Sequence, residues 1–386
     1  MDRGGYSDTS YVGSMDTAIY LIVVILALFG IVMVFSSSYI ATGRSALYNY
    51  NSYYFLNRQA INAGVGFFAM NFMANFNYRF LRKFTIPLYL ASIALLVVTF
   101  TFGVATRGET RWLPIPLPIL GTYQFQPSEF GKIGLILILA LLISGRRNIL
   151  QGWRGTLFCA AVTGVMALFV GIGNLSTAII IVIIGIGMVF LASPYVMRFF
   201  IAGAAGAGGL VGYLYYMAYY APENAAGAWR GGRFLSWLNP WENTQGYSYQ
   251  IVNSLYAVAS GGLFGLGIGQ SRQKTLLPEA QNDYIFAIIC EEFGLVGAGF
   301  VLLLFGILIW RGVYIARHAP DIYGSMIASG IVIMLMSQVV INIAVVTNTI
   351  PPTGIPLPFI SYGGTSLLVC MASVGVLLNI SKYARG

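Results

Sequence analysis

The chain alternates between long apolar runs and shorter polar segments. A helix that crosses a membrane needs about 20 consecutive, mostly apolar residues. Ten runs approach that length, near residues 17–36, 59–76, 84–103, 128–144, 154–172, 174–192, 196–216, 284–309, 322–347 and 365–381. The pattern therefore predicts an all-α polytopic membrane protein with about ten transmembrane helices.

Three longer segments interrupt the apolar pattern. Residues 104–127 are polar, and residues 217–283 form a large loop that we expect to be extracytoplasmic, between the seventh and eighth helices. Inside that loop, residues 247–258 are amphipathic, which is typical of a helix lying on a membrane surface. Residues 348–364 are rich in proline and glycine. We expect a single membrane domain over residues 1–386.

Composition agrees with this class. Of 386 residues, 58% are hydrophobic and only 9% are charged, whereas a soluble domain usually carries about 25% charged residues. The net charge of +9 requires no nucleic acid, because cytoplasmic loops of membrane proteins are enriched in Lys and Arg. Cys159, Cys290 and Cys370 lie in apolar runs and predict neither disulfides nor a metal site. The single His318 argues against a histidine-based triad or zinc site.

The distribution of basic residues predicts the orientation. If the N-terminus is inside, the inner segments hold 12 Lys and Arg residues and the short outer loops hold 4. Positive charge accumulates on the cytoplasmic side, so we expect both termini in the cytoplasm. The first apolar run is long and shows no evident cleavage site, so no cleavable signal peptide is expected.

Four carboxylates occur within fourteen residues: Glu279, Asp283, Glu291 and Glu292. An ionisable side chain in a membrane span is expensive to bury and indicates a functional site by default. For Asp283 and its neighbour Asn282 there is a simpler alternative, because Asn and Asp often cap the first turn of a helix. The two roles are compatible.

The fourth apolar run begins with Pro127 and Ser128, which favour a helix start, and continues with Glu129 and Lys132. Residues three apart share a helix face, so these two charges should meet. They could form a structural ion pair, Lys132 could extend to the interface, or the pair could line a cavity.

Arginine and tryptophan cluster in both outer loops. The residues are Arg107, Arg111 and Trp112 in the first, and Trp229, Arg230, Arg233, Trp237 and Trp241 in the second. Such clusters anchor a protein at the membrane interface or bind the phosphate of an anionic headgroup.

The segment from Gly354 to Ser366 is irregular yet apolar. It is either a buried plug or one wall of a site, because non-helical backbone at membrane depth must be buried or line a cavity. The glycine run Gly262–Gly269 lacks the residues of a phosphate-binding loop.

These segments together resemble the SEDS family, the group of FtsW, RodA and SpoVE proteins. The resemblance rests on Gln126-Pro127-Ser128-Glu129 with Lys132, on Asn239-Pro240-Trp241, on Gly261–Ser271, on Leu277-Pro278-Glu279-Ala280 with Asp283–Ala287 and Glu291-Glu292, and on Gly354–Gly364. With the ten apolar runs it covers most of the chain, and the wording of Pro358–Tyr362 is closer to the division-type FtsW branch.

The resemblance implies a peptidoglycan glycosyltransferase in the cytoplasmic (inner) membrane. An acceptor 4-hydroxyl would attack the anomeric carbon of lipid II or a growing strand, and undecaprenyl pyrophosphate would leave. Asp283 matches the essential aspartate of the family, and Glu129 and Lys132 match its paired charges. The family also implies a divalent cation (Mg or Mn), a class B penicillin-binding protein as transpeptidase partner, and other divisome or elongasome membrane proteins.

Other candidate residues follow from charge. Arg111, Arg233 and Lys132 could bind the pyrophosphate, Glu279 could bind a metal or hold the base, and Ser361 could support the site. The chain departs from the family at Asn174, where many members have Asp, and at Gln281-Asn282, where His-Thr is usual. Two other functions stay open: a lipid II flippase and a non-catalytic division scaffold.

Overall fold

The computed structural model describes residues 13–106, 109–117, 121–145, 149–199, 236–242 and 248–384, with isolated residues in the intervening segments. The described part is mainly helical. The helices are α1 (Thr17–Gly43), α2 (Tyr54–Asn75), α3 (Leu81–Phe102), α4 (Pro127–Gly145), α5 (Trp153–Gly173), α6 (Leu175–Ala192), α7 (Tyr249–Ser260), α8 (Ile285–His318), α9 (Ile322–Val346) and α10 (Gly364–Ser381). Short 3-10 turns lie at Ala46–Tyr48, Tyr78–Phe80 and Gln273–Thr275.

Nine of the ten predicted apolar runs are helices. Within the described residues, eight of them are long and apolar enough to cross a membrane: α1, α3, α4, α5, α6, α8, α9 and α10. Helix α2 is long enough, but Asn57, Arg58, Gln59 and Asn62 make its first half polar. Most of the seventh run, 196–216, lies outside the described residues. The polytopic all-α class is thereby confirmed.

The first outer loop, for which the sequence predicted only a polar segment, folds into a small sheet. Strands β1 (Val104–Thr106), β2 (Glu109–Leu117) and β3 (Gly121–Phe125) form an antiparallel meander in the order β1-β2-β3. Leu113 pairs with Phe125 and Leu117 with Gly121. Alternating aromatic and β-branched residues favour strands, but a stretch containing two prolines and several charges hides that signal.

The predicted apolar runs 154–172 and 174–192 are separated by a single residue, and Asn174 determines the junction between α5 and α6. Its backbone N–H donates to the Val170 carbonyl oxygen at the end of α5. Its side-chain Oδ1 accepts from the Thr177 N–H, 3.1 Å away, in the first turn of α6. Asn174 therefore ends one helix and caps the next, which satisfies N–H groups that would otherwise be unpaired.

Helix α8 is broken near its start, at Gly294, whose φ is +65°. The glycine-rich loop Gly261–Gly269 lies against the break. Its Leu266 and Gly267 N–H groups donate to the carbonyls of Glu291 and Glu292, and the Leu295 N–H donates to the Gly262 carbonyl. Backbone groups freed by a break must find partners in a membrane, and this loop supplies them.

Candidate active site

A cavity of about 570 Å³ lies where the first turns of α2, α4, α6 and α10 approach the segment before α8. Five of the seven site residues predicted from the sequence line it: Glu129, Lys132, Arg111, Glu279 and Asp283. Ser361 lies behind the wall. Arg233 is outside the described residues. The fold thus brings together charges as far apart in the chain as Arg111 and Asp283, which are separated by 172 positions.

Asp283 is half-buried and lines the cavity. Helix α8 begins two residues later, at Ile285, and its N-cap residue is Tyr284, whose side chain makes no capping bond. The prediction that Asn282 or Asp283 is the N-cap residue is therefore wrong. The carboxylate lies close to Gly354, since a methyl group placed on Gly354 would be 3.2 Å from Oδ2 of Asp283.

Two buried side chains fix the backbone around Asp283. Asn342 of α9 donates through Nδ2 to the carbonyls of Asp283 (2.9 Å) and Ile355 (2.8 Å). Ser361 donates through Oγ to the Asn282 carbonyl at 2.7 Å and accepts from the Leu357 N–H at 2.8 Å. Ser361 therefore acts on the backbone and does not face the cavity.

The proline- and glycine-rich segment forms a wall of the cavity, through Gly354, Ile355, Pro356, Tyr362 and Gly363. Of the two alternatives for this segment, a buried plug or a wall, the structure shows the wall. The Tyr362 N–H also donates to the Gln281 carbonyl at 2.9 Å. The segment before α8 and this wall are therefore joined by hydrogen bonds at Gln281 and Asn282, immediately before Asp283.

Glu129 and Lys132 form a buried ion pair on α4, with 2.9 Å between Oε1 and Nζ. The Lys132 side chain is only 1% exposed, which excludes extension to the interface. Within the part of the chain that the structure describes, Oε2 of Glu129 has no hydrogen-bond partner. A buried polar atom without a partner costs free energy, so this oxygen is suited to a ligand in the cavity.

Positive charge also accumulates around the cavity. The N-terminal ends of α4, α6 and α10 reach it through Glu129, Asn174 and Gly364. Helix N-termini carry partial positive charge and bind anions, phosphates among them. Arg111 of β2 lines the cavity and donates through Nε to the Gly173 carbonyl at 3.2 Å, which ties the sheet to the α5–α6 junction.

Sequence analysis missed the aromatic and basic residues near the start of α2. Tyr48, Tyr54, Phe55 and Arg58 all line the cavity. The guanidinium carbon of Arg58 lies 4.5 Å from the Tyr54 ring centre. The sequence marks this group only by Arg58, which precedes the apolar run 59–76 and is one of the four basic residues of the short outer loops.

Two tyrosines of the cavity have raised pKa values. Burial raises the pKa of Tyr48, and nearby Tyr54 and Glu279 raise it further. Burial also raises the pKa of Tyr362, while Arg58 acts in the opposite direction. Both hydroxyls therefore stay protonated at neutral pH and can donate hydrogen bonds into the cavity.

Glu291 and Glu292 do not line the cavity, contrary to the default functional interpretation. Glu291 accepts from Oγ of Ser271 and from the N–H groups of Arg272 (3.0 Å) and Gln273 (3.3 Å). Glu292 accepts from Ser36 Oγ at 2.6 Å and lies 3.6 Å from Lys274 Nζ. Both carboxylates bind the segment Ser271–Lys274, which follows the glycine-rich loop, and so hold it to α8.

The carboxylates of the cavity are few but suit a cation shared with a ligand. Among residues 13–384, insofar as they are described, no group of three His, Cys, Asp or Glu residues could hold a metal ion. A Mg²⁺ ion, however, commonly uses one or two carboxylates together with substrate phosphates. Glu129, Glu279 and Asp283 supply carboxylates at the cavity, so the residues fit a cation shared with a diphosphate.

Comparison with known proteins gives consistent matches. A family model described as cell cycle protein, covering FtsW, RodA and SpoVE, matches residues 16–386. Stage V sporulation protein E of Bacillus subtilis is 42% identical over 380 residues, covering 96% of this chain and 98% of that protein. The probable peptidoglycan glycosyltransferase FtsW of the same organism is 36% identical and covers 96% and 92%.

Two solved structures share the fold. One, described as the structural coordination of polymerization and crosslinking by a peptidoglycan synthase complex, has a TM-score of 0.75 at 26% identity and covers 95% of this chain and 97% of that chain. The rod shape determining protein RodA of Thermus thermophilus has a TM-score of 0.66 at 25% identity, with coverage of 95% and 96%.

Proposed function

The chain belongs to the SEDS family of FtsW, RodA and SpoVE proteins, and on this basis we propose that it is a peptidoglycan glycosyltransferase that polymerises lipid II. It is a multi-pass membrane protein, and its FtsW relatives are named as probable peptidoglycan glycosyltransferases. The observation that carries the proposal is one cavity in which Asp283 lies with the Glu129–Lys132 pair and Arg111.

Asp283 is the proposed general base. Its carboxylate takes the proton from the acceptor 4-hydroxyl as that oxygen attacks the donor's anomeric carbon, and the new β-linkage forms as the bond to the diphosphate breaks. A base must lie within hydrogen-bond reach of the proton that it removes. The bonds from Asn342 and Ser361 to the neighbouring backbone support this role, since they fix the position of Asp283.

The positively charged side of the cavity is the proposed site of the departing diphosphate. Lys132 and Arg111 would stabilise the negative charge that develops on the leaving oxygen, an effect that is strong in a site shielded from water. The N-termini of α4 and α6 would act in the same direction. Arg233, which lies outside the described residues, stays a candidate for the same role.

A divalent cation, Mg²⁺ or Mn²⁺, is a further part of the proposal. The Glu129 oxygen that lacks a partner among the described residues and the Glu279 carboxylate would hold it together with the diphosphate. When bound, it would neutralise phosphate charge. Asn174, where many family members have an aspartate, adds no carboxylate to the set.

We place the active cavity at the outer face of the cytoplasmic membrane, with both termini inside, as the distribution of Lys and Arg suggests. A class B penicillin-binding protein is the proposed partner. One protein with the same fold belongs to a peptidoglycan synthase complex that coordinates polymerization and crosslinking, which supports that choice. The relatives include a sporulation protein and FtsW proteins, which fits a role in cell division or spore formation.

Polymerisation of labelled lipid II by the purified chain with its candidate transpeptidase tests the proposal. Asp283→Asn keeps the size of the side chain but removes its charge. We expect the polymerisation rate to fall about 1,000-fold, because the amide can neither remove the proton nor supply negative charge beside the reacting sugar. Glu242→Gln, at an exposed position, is the matched control and should polymerise normally.

Equal activity of wild type and Asp283→Asn would exclude Asp283 as the base and favour Glu279 or Glu129. Absence of polymerisation by the wild type with a verified partner would contradict the enzyme proposal. A lipid II flipping assay would then test the flippase, and retention of division by the Asp283→Asn strain would support the scaffold.

A further inference from the structure

Four aromatic side chains in contact with one another form a surface that lines the cavity, with successive ring planes inclined by 49°, 57° and 74°. We call this surface, made of Tyr48, Tyr54, Phe55 and Tyr362, the aromatic wall. The ring centres of Tyr48 and Tyr54 are 4.9 Å apart, those of Tyr48 and Phe55 5.2 Å, and those of Phe55 and Tyr362 4.6 Å. All four line the cavity, and all but the buried Phe55 are partly accessible.

The aromatic wall adjoins the segment that carries Asp283. Its last member, Tyr362, donates its backbone N–H to the Gln281 carbonyl, two residues before Asp283. Its first member, Tyr48, is close enough to Glu279 for that carboxylate to raise the pKa of its hydroxyl. The wall and the proposed base are therefore neighbours along the same side of the cavity.

The lysine that would meet the diphosphate comes from another part of the fold. Lys132 belongs to α4 and is paired with Glu129, whereas three members of the aromatic wall belong to α2 and the turn before it. An anionic diphosphate gains from the cation of Lys132 and from helix N-termini. The faces of phenol and phenyl rings carry negative charge density, and the cation beside them, Arg58, already lies over the Tyr54 ring.

A sugar ring has the chemistry that such a surface recognises. One face of a pyranose is lined by C–H groups, which are weakly positive and apolar, and these pack on the negative face of an aromatic ring. The ring edge carries hydroxyl and amide groups that need hydrogen bonds. Beside the wall, the buried Oδ1 of Asn282 has no partner among the described residues, and it can accept from a sugar hydroxyl or N–H.

We propose that the aromatic wall is the subsite for the acceptor glycan, where sugar rings stack on Tyr48, Tyr54 and Tyr362 so that the terminal 4-hydroxyl is presented to Asp283. This inference rests on the proposed function and deepens it by separating the acceptor side from the diphosphate side. Arg58, which lies over the Tyr54 ring, helps to hold that tyrosine in place.

The test uses the purified full chain and a soluble oligosaccharide of alternating N-acetylglucosamine and N-acetylmuramic acid, with no lipid and no diphosphate. Tyr54→Leu removes the ring and should weaken saccharide binding about tenfold, as expected for the loss of one stacking contact. Tyr54→Phe keeps the ring and should bind within about twofold of wild type. Phe72→Leu, on the exposed face of α2, is the control and should bind like wild type.

Polymerisation measured in parallel separates this inference from the proposed function. We expect Tyr54→Leu to raise KM for an added glycan acceptor while KM for the lipid II donor stays unchanged. If wild type polymerises but all variants bind the saccharide equally, the acceptor subsite is overturned and the polymerase proposal stands. Equal losses in Tyr54→Leu and Tyr54→Phe would point to the hydroxyl and overturn stacking. Saccharide binding by a chain that cannot polymerise would contradict only the proposed function.

Discussion

Two glutamate–lysine pairs are buried in the described part of this protein, one between residues three apart on α4 and one between residues 18 positions apart. Glu129–Lys132 on α4 has an N–O distance of 2.9 Å and one carboxylate oxygen without a partner in the described part of the chain. Lys274–Glu292 has a distance of 3.6 Å, and both groups make further contacts: Glu292 with Ser36, and Lys274 with the Gly269 carbonyl at 2.6 Å.

This difference indicates that Glu129–Lys132 belongs to the candidate active site, whereas Lys274–Glu292 stabilises the fold. Nζ of Lys274 also lies 4.7 Å from the Tyr39 ring centre, so the ammonium group is surrounded by partners from the protein itself. Glu129 and Lys132 line the cavity, and Oε2 of Glu129 can still accept a hydrogen bond. Burying charge in a membrane costs free energy for both pairs. A ligand can offset part of this cost only at Glu129–Lys132, because only that pair lines a cavity.

The largest expected effect is the response to identical double replacements. Glu129→Gln with Lys132→Met should lower the polymerisation rate by about two to three orders of magnitude, as when a charge-stabilising group is removed. Glu292→Gln with Lys274→Met should leave the rate per folded molecule within about twofold. Both doubles remove a pair together, so neither leaves an unpaired buried charge. Equal loss of rate in the two doubles would show that the two pairs have the same role.

The second effect concerns stability. Glu292→Gln alone leaves Lys274 charged and buried, and should lower the free energy of unfolding by about 3 kcal/mol. Adding Lys274→Met should restore most of that loss. Thermal unfolding in detergent, followed by size-exclusion fluorescence, measures both. If the single replacement melts like wild type, the pair does not hold the glycine-rich loop to α8.

The smallest effect concerns Gly354, which has a φ of +72° beside Asp283. Gly354→Ala places a methyl group 3.2 Å from the carboxylate and should lower the rate about tenfold, because a small displacement of a reacting group is enough to slow a reaction. Gly269→Ala is the matched control, since Gly269 has a similar φ of +78° and a methyl group there meets nothing within 4 Å. A rate unchanged in Gly354→Ala would show that Asp283 tolerates the displacement.

The sequence alone determined the class of protein and nine of the long helices in the described residues, because a membrane span needs a long apolar run whatever it packs against. It also identified Asp283, Glu129 and Lys132 as candidates, since charges are rare enough in such runs to stand out. The break between α5 and α6 was the least certain of the predicted boundaries, because only one residue separates the apolar runs 154–172 and 174–192.

Only the tertiary structure decided which polar residues share a cavity. Glu291 and Glu292 are as buried and as charged as Glu129, and their role follows from the glycine-rich loop that folds onto them. The aromatic wall joins Tyr48 to Tyr362 across 314 positions. Tyrosine and phenylalanine are common throughout this chain, so nothing local marks these four. Their function depends on contacts between segments that are distant in the chain, and a local sequence pattern does not predict such contacts.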